Sequence, residues 1–234
     1  MPRVGLGLWL CKHAEAGAAA RAALESGVRL LDGAAIYGNE AGVGEALTKA
    51  LDECICKRED VFVVSKLFNT HHVWDGDASR VPAALDQTLK DLKVDYLDLY
   101  LMHWPFAFDH MDMKAIGGLR LPDLSPNPKL TIKTEFLDTY AEMLKLQRAG
   151  KVRALGVCNF TQAQLEELMA CFPEDPPCVN QVELHPYLRQ AELTSFCKAK
   201  GIQVMAYSPL GSPGGYSGAS FPAKGSGPYE NPRA

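Results

Sequence analysis

Val61-Phe62-Val63-Val64-Ser65-Lys66 is a β-rich run ending on a charged residue; a segment of helical period, Val81 to Leu92, follows, and then a second run, Leu97-Asp98-Leu99-Tyr100-Leu101-Met102-His103. Two such runs joined by a helix-length crossover predict parallel strands with a helix packed across them. The rhythm continues on both sides. Val4 to Leu6, Arg29 to Asp32, Ala154 to Cys158, Val179 to Glu183 and Gln203 to Tyr207 read as further strands, which makes seven. Helices are expected at Ala16 to Ser26, Glu40 to Cys54, Glu135 to Ala149, Gln162 to Cys171 and Ala191 to Lys200. Gly27, Gly150 and Gly201 each follow such a segment, where a left-handed glycine ends a helix. Thr161, three residues before Gln164, reads as an N-cap with a reciprocal partner.

Alternating units of this kind build either an open doubly wound sheet or a closed eight-stranded barrel. Gly5-Leu6-Gly7 lacks the third glycine of a dinucleotide fingerprint, and Gly42-Val43-Gly44 follows a loop, so neither supports the open sheet. Instead, reactive residues end several different strands: Asp32, Lys66, His103, Cys158, Gln181 and Tyr207. That distribution is expected of a (β/α)8 barrel, whose chemistry sits at the carboxyl ends of its strands. The reading assigns residues 1–212 to the barrel and 213–234 to a Gly/Ser/Pro-rich loop or disordered tail. With seven strands found, one helix and a final strand and helix are missing, on the order of 50 residues. The expectation is thus an incomplete barrel.

The 234 residues are 47% hydrophobic and 22% charged, with a net charge of −4, the composition of an ordinary globular chain. A chain of this size buries roughly 70–75% of its unfolded surface and needs no disulfide or metal to hold a core. No apolar run approaches the ~20 residues of a membrane helix, and the amino terminus lacks the pattern of a signal peptide. With no Lys/Arg run and no aromatic-basic interleaving, a nucleic-acid partner is not expected. Seven cysteines, an odd number without a Cys-x-x-Cys pair, read as reduced thiols of a cytoplasmic protein. Cys54 and Cys56 are read as helix surface rather than a metal or redox pair.

Four of the polar residues suit proton transfer. An ammonium on Lys66 would stabilise the Tyr37 phenolate and lower the tyrosine's pKa, while Asp32 would keep the lysine charged. His103 would orient a substrate oxygen. Taken singly, Asp32 could be a turn cap, Lys66 a solvent-facing strand end and His103 a core histidine.

The surrounding motifs resemble the aldo-keto reductase superfamily over the chain up to Ser212. Gly5-Leu6-Gly7-Leu8-Trp9 is similar to its first strand, and Asp32-Gly33-Ala34-Ala35-Ile36-Tyr37-Gly38-Asn39-Glu40 to its aspartate-to-tyrosine signature. Val63-Val64-Ser65-Lys66-Leu67 and Leu101-Met102-His103-Trp104-Pro105 resemble the lysine and histidine strands. Gly156-Val157-Cys158-Asn159-Phe160, Asn180-Gln181-Val182-Glu183-Leu184-His185-Pro186-Tyr187 and Ala206-Tyr207-Ser208-Pro209-Leu210-Gly211 resemble the fifth, sixth and seventh strand motifs. The resemblance implies NADPH-dependent reduction of aldehydes or ketones, with Tyr37 as proton donor tuned by Asp32 and Lys66, and His103 as the fourth catalytic residue. It implies that Asn159 and Gln181 hydrogen-bond the nicotinamide carboxamide and that Tyr207 stacks on the ring. Cys158 would stand beside them, and Ser208, Leu210 and Ser212 would line the pyrophosphate path. Trp9, Phe68 and Trp104 would wall an apolar pocket for a carbonyl or alcohol substrate.

Two departures bear on this expectation. Cys158 stands where the family usually has serine, a stronger hydrogen-bond partner. The chain also starts at the first strand, without the family's amino-terminal hairpin, and lacks the carboxyl-terminal residues that grip the 2′-phosphate. A non-catalytic binding or regulatory protein on the same scaffold is therefore the alternative function. A complete barrel would be monomeric, whereas open edge strands would offer a route to association. No metal is expected, because no histidine pair has one-turn helical spacing. The long segment from Phe106 to Lys133 is expected to loop over the rim and shape the pocket.

Overall fold

The computed structural model describes residues 1–111 and 132–211. Ser212, the expected tail and most of the segment between Phe106 and Lys133 lie outside the described residues. Seven strands form one parallel sheet: β1 (Leu6–Gly7), β2 (Leu30–Asp32), β3 (Phe62–Leu67), β4 (Leu99–Met102), β7 (Leu155–Cys158), β8 (Val179–Glu183) and β9 (Gln203–Tyr207). They pair strictly in chain order, β1-β2-β3-β4-β7-β8-β9. A doubly wound sheet would reverse its order at a switch point, so the sequential order is that of a barrel wall. Among the described residues no pairing joins β9 to β1. Among the described residues six α-helices follow in alternation: α1 (His13–Glu25), α2 (Glu40–Asp52), α3 (Arg80–Leu92), α4 (Leu137–Arg148), α5 (Gln162–Cys171) and α6 (Ala191–Ala199).

Strand alternation decides what enters the barrel. Leu30, Val64, Leu99, Leu101, Cys158 and Val179 form an inner cluster joined by Phe62, Met205 and Tyr207. The intervening residues Leu31, Val63, Leu67, Tyr100, Met102, Leu155 and Val157 belong instead to the layer packed under the helices. By the same period of two, Asp32, Lys66, His103 and Gln181 fall on the inner side, whereas Ser65 and Asn180 fall on the outer. The wall is tight: a Cβ on Gly156 would lie 2.7 Å from the Val179 carbonyl oxygen.

Helix ends follow the sequence signals. Gly27, Gly150 and Gly201 take φ of 87°, 76° and 73°. The Thr161 cap forms, with Thr161 N donating to Gln164 Oε1 at 3.0 Å and Gln164 N to Thr161 Oγ1 at 3.4 Å. Other boundaries differ. α1 starts at His13 rather than Ala16, because Glu15 accepts from the Lys12 amide at 3.1 Å and caps an earlier turn. α2 stops at Asp52, so Cys54 turns with φ 57° and Cys56 is buried; neither lies on a helix. Val4 is 75% exposed and the first strand begins at Leu6. Gly42 and Gly44 serve close helix packing, since an added Cβ would collide with the carbonyl oxygens of His13 and Asp91. The segment after β4 opens with β5 (Ala107–Phe108), paired antiparallel to β6 (Ile132–Lys133), where a loop was expected.

The amino ends of the strands are held by one carboxylate. Asp98, 3% exposed, accepts from Val63 N at 3.0 Å, Arg58 Nη1 at 3.0 Å and Arg153 Nη1 at 3.1 Å. Arg58 lies 4.0 Å over the Tyr96 ring and donates to the carbonyl oxygens of Val61 and Tyr96, both at 2.7 Å. Removing one partner of a buried ion pair leaves an uncompensated charge. Asp98→Ala is therefore expected to lower unfolding free energy by about 3 kcal/mol in a urea titration, with Asp98→Asn costing less.

Candidate active site

Asp32 ends β2, and the chain turns through Gly33 into a single 3-10 turn, Ala35–Tyr37, closed by Gly38 at φ 66°. That turn brings Tyr37 back over the barrel mouth toward Lys66 on β3. Lys66 is 1% exposed. Its ammonium donates to Asp32 Oδ1 at 2.8 Å, to the Gly33 carbonyl oxygen at 2.8 Å and to Tyr37 Oη at 3.3 Å. Three donors thus meet three acceptors. The contact to Tyr37 uses a phenol lone pair and leaves the phenol proton available to another acceptor.

Burial works against a charged Lys66, but Asp32 and the surrounding groups outweigh it and raise its pKa above the ordinary value. Tyr37 departs from the expected direction. Burial raises the phenol's pKa, Lys66 pulls it down, Asp32 pushes it up again, and the net shift is upward. The ammonium alone would lower the phenol's pKa, and the desolvation that accompanies it reverses the sign. Tyr37 is consequently held in its protonated form, the form required of a proton donor.

His103, just beyond β4, is 9% exposed. Its ring meets those of Tyr37 and Phe68 edge to face, each with centroids 5.9 Å apart, and stacks on Trp104 at 6.5 Å. Burial, then Lys66, then His72 holds its pKa well below the usual histidine range. The ring is therefore neutral at physiological pH, and its Nδ1 is a buried nitrogen without a hydrogen-bond partner. A neutral imidazole can donate one hydrogen bond to a substrate oxygen without charging the site.

A second polar set adjoins these four residues. Asn159 has φ 65°, donates to the His103 carbonyl oxygen at 3.0 Å and to Cys158 Sγ at 3.2 Å, and accepts from Tyr207 Oη at 2.8 Å. Gln181 Nε2 donates to Asp32 Oδ1 at 3.3 Å and to Met205 Sδ at 3.2 Å, while Cys158 Sγ donates to Gln181 Oε1 at 3.7 Å. Burial raises the Cys158 thiol to about 12, so it is an inert neutral group. Both amide NH2 groups are engaged by these contacts, which fixes the orientation of the two side-chain carbonyl oxygens as acceptors. Ser208, at φ 47°, and the half-exposed Leu210 continue along the rim beyond β9.

The pocket-wall residues divide. Phe68 is buried against Phe108, and Trp104 packs on Phe106 with centroids 5.7 Å apart. Trp9, on the loop after β1, is 39% exposed. Phe106 and Phe108 were missing from the expected wall, although the alternation Phe106-Ala107-Phe108 carries a strand's period of two. The Gln181–Asp32 link, between residues 149 positions apart, had no local signal. The neutrality of His103 is directly measurable: in an NMR titration from roughly pH 8 to 5, its ring signals should stay fixed while ordinary histidines titrate near 6.5.

The sequence profile of the Aldo/keto reductase family matches residues 3–228. Aldose reductase B of Dictyostelium discoideum is 44% identical over 212 residues, covering 90% of this chain and 66% of that protein. Aldo-keto reductase family 1 member A1 of Homo sapiens is 42% identical over 214 residues, covering 91% and 62%. The structure of the aldose reductase from Schistosoma japonicum superposes with a TM-score of 0.80 at 37% identity, covering 91% of this chain and 67% of that one. The chain thus spans about two thirds of the length of these relatives. It belongs to the aldo/keto reductase family.

Proposed function

We propose that this site reduces the carbonyl of an aldehyde or ketone to an alcohol with NADPH. The observation that carries the reading is the contact of a buried, charged Lys66 with a protonated Tyr37 whose own proton is not spent on the lysine. When bound, the reduced nicotinamide supplies hydride to the carbonyl carbon. Asn159 and Gln181 would hold its carboxamide, with the Tyr207 ring against its face and Ser208 and Leu210 along the path to the phosphates. Tyr37 delivers its phenol proton to the carbonyl oxygen, and Lys66 stabilises the phenolate left behind. Asp32 keeps Lys66 charged and in place, and neutral His103 donates a hydrogen bond that orients the same oxygen.

Trp104, stacked on His103 and backed by Phe106 and the buried Phe108, presents an aromatic surface that favours an apolar or aromatic carbonyl compound. The seven free thiols suit a reducing, cytoplasmic setting. No helix among the described residues is long and apolar enough to cross a membrane.

Titration of NADPH into the protein, followed by quenching of tryptophan fluorescence, tests the reading. Saturable micromolar binding is expected, together with reduction of an aromatic aldehyde. Tyr37→Phe should keep binding within about twofold and lose on the order of 10²-fold or more in kcat. A folded protein that binds no NADPH would instead support the binding or regulatory reading. Cys158→Ser, which supplies a stronger hydrogen-bond partner beside Asn159, should tighten NADPH binding severalfold.

A further inference from the structure

The contact between Tyr37 and Lys66 is flanked by a second contact between the same two segments. Three residues after Tyr37, at the start of α2, stands Glu40; one residue before Lys66, on the outer side of β3, stands Ser65. Ser65 Oγ donates to Glu40 Oε1 at 2.6 Å, and Thr88 Oγ1 of α3 donates to Glu40 Oε2 at 3.2 Å. All three side chains are buried, at 5%, 0% and 1% exposure for Glu40, Ser65 and Thr88. We propose that Glu40 is a positioning residue: by gripping Ser65 behind the barrel wall, it sets the separation between the Tyr37 phenol and the Lys66 ammonium in front of it.

Lys66 can approach the phenol only as closely as β3 approaches the turn that carries Tyr37, and the Glu40–Ser65 bond ties those two pieces of backbone together. Asn39, next to Glu40 and 1% exposed, anchors the segment again by donating to the carbonyl oxygens of Leu8 and Cys11, both at 2.9 Å. Burial pushes the Glu40 carboxyl up to about 7, while the hydroxyls of Ser65 and Thr88 draw it down, Asp91 raises it and Lys66 lowers it. On β4, the buried Tyr100 hydroxyl lies in the same field and has no hydrogen-bond partner. A buried carboxyl of this kind is costly unless its hydrogen bonds are made. Ser65 supplies the shorter of the two.

The inference rests on the reading of Tyr37 as proton donor, and its test keeps the two apart. The phenol is followed by ultraviolet absorbance in the ligand-free protein, as the difference between each protein and its Tyr37→Phe counterpart. Ser65→Ala is expected to move Tyr37 ionisation to higher pH by about half a unit, a threefold change in the equilibrium, as the ammonium loses register. Ser65→Thr, which keeps the hydroxyl, should restore the wild-type titration. Thr88→Val, which removes the other hydrogen bond to Glu40, should leave it unmoved. If the alanine variant does not fold, Ser65→Cys replaces it with a nearly isosteric but weaker donor.

In turnover, Ser65→Ala should lose about tenfold in kcat with KM within twofold. An unmoved titration in folded Ser65→Ala overturns the proposal, as does an equal shift in Thr88→Val. A titration shift in a protein that never turns over refutes the reductase reading and upholds the positioning role.

Discussion

One ammonium buried at the carboxyl end of β3 is the constraint around which the site is arranged. An unpaired charge in that position would cost several kcal/mol, so its donors must be met. Asp32, the Gly33 carbonyl oxygen and the Tyr37 phenol meet them. Each acceptor requires something of the fold. Asp32 must face inward, which the β2–β3 pairing arranges; Gly33 must present its carbonyl at the strand end; and the Ala35–Tyr37 turn must close on Gly38 to bring the phenol back. The local structure of residues 32–40 thus follows from the charge it surrounds.

The two ends of the barrel divide the work. At the amino ends, Asp98 ties β3, β4 and the approach to β7 into one ion-paired floor. At the carboxyl ends, polar side chains face the open mouth and carry higher electrostatic cost. Conservation of stability at one end and chemistry at the other is the usual arrangement in barrels, because the loops after the strands can vary without disturbing the floor. Between the two ends, the helix layer reaches the chemistry from behind. Glu40 and Thr88 lie outside the wall, yet Glu40 accepts from Ser65, the residue that precedes Lys66 on β3.

Much of this was legible because a parallel strand leaves a strong local signature. Val179–Glu183 and Gln203–Tyr207 were read to the residue, and the strand ends already placed Asp32, Lys66 and His103 at the carboxyl rim of a barrel. The helix stops at Gly27, Gly150 and Gly201 were legible because a left-handed residue has a chemical preference. What stayed hidden depended on distance or on a balance. The pairing of Ala107–Phe108 with Ile132–Lys133 joins segments 25 or so positions apart, and strands of two residues carry little pattern. The start of α1 hinged on Glu15 capping Lys12. The Tyr37 shift needed the magnitude of burial set against the charge of Lys66, and a sequence supplies the charge alone.

The most direct measurement is the ionisation of Lys66 itself, followed by NMR of 13C-labelled lysine side chains and identified by its loss in Lys66→Met. Because Asp32 and the neighbouring groups outweigh burial, the signal should show an ammonium that remains charged beyond the ordinary lysine value of about 10.4. A Lys66 that loses its proton below about pH 9, as an uncompensated buried lysine does, would contradict the account.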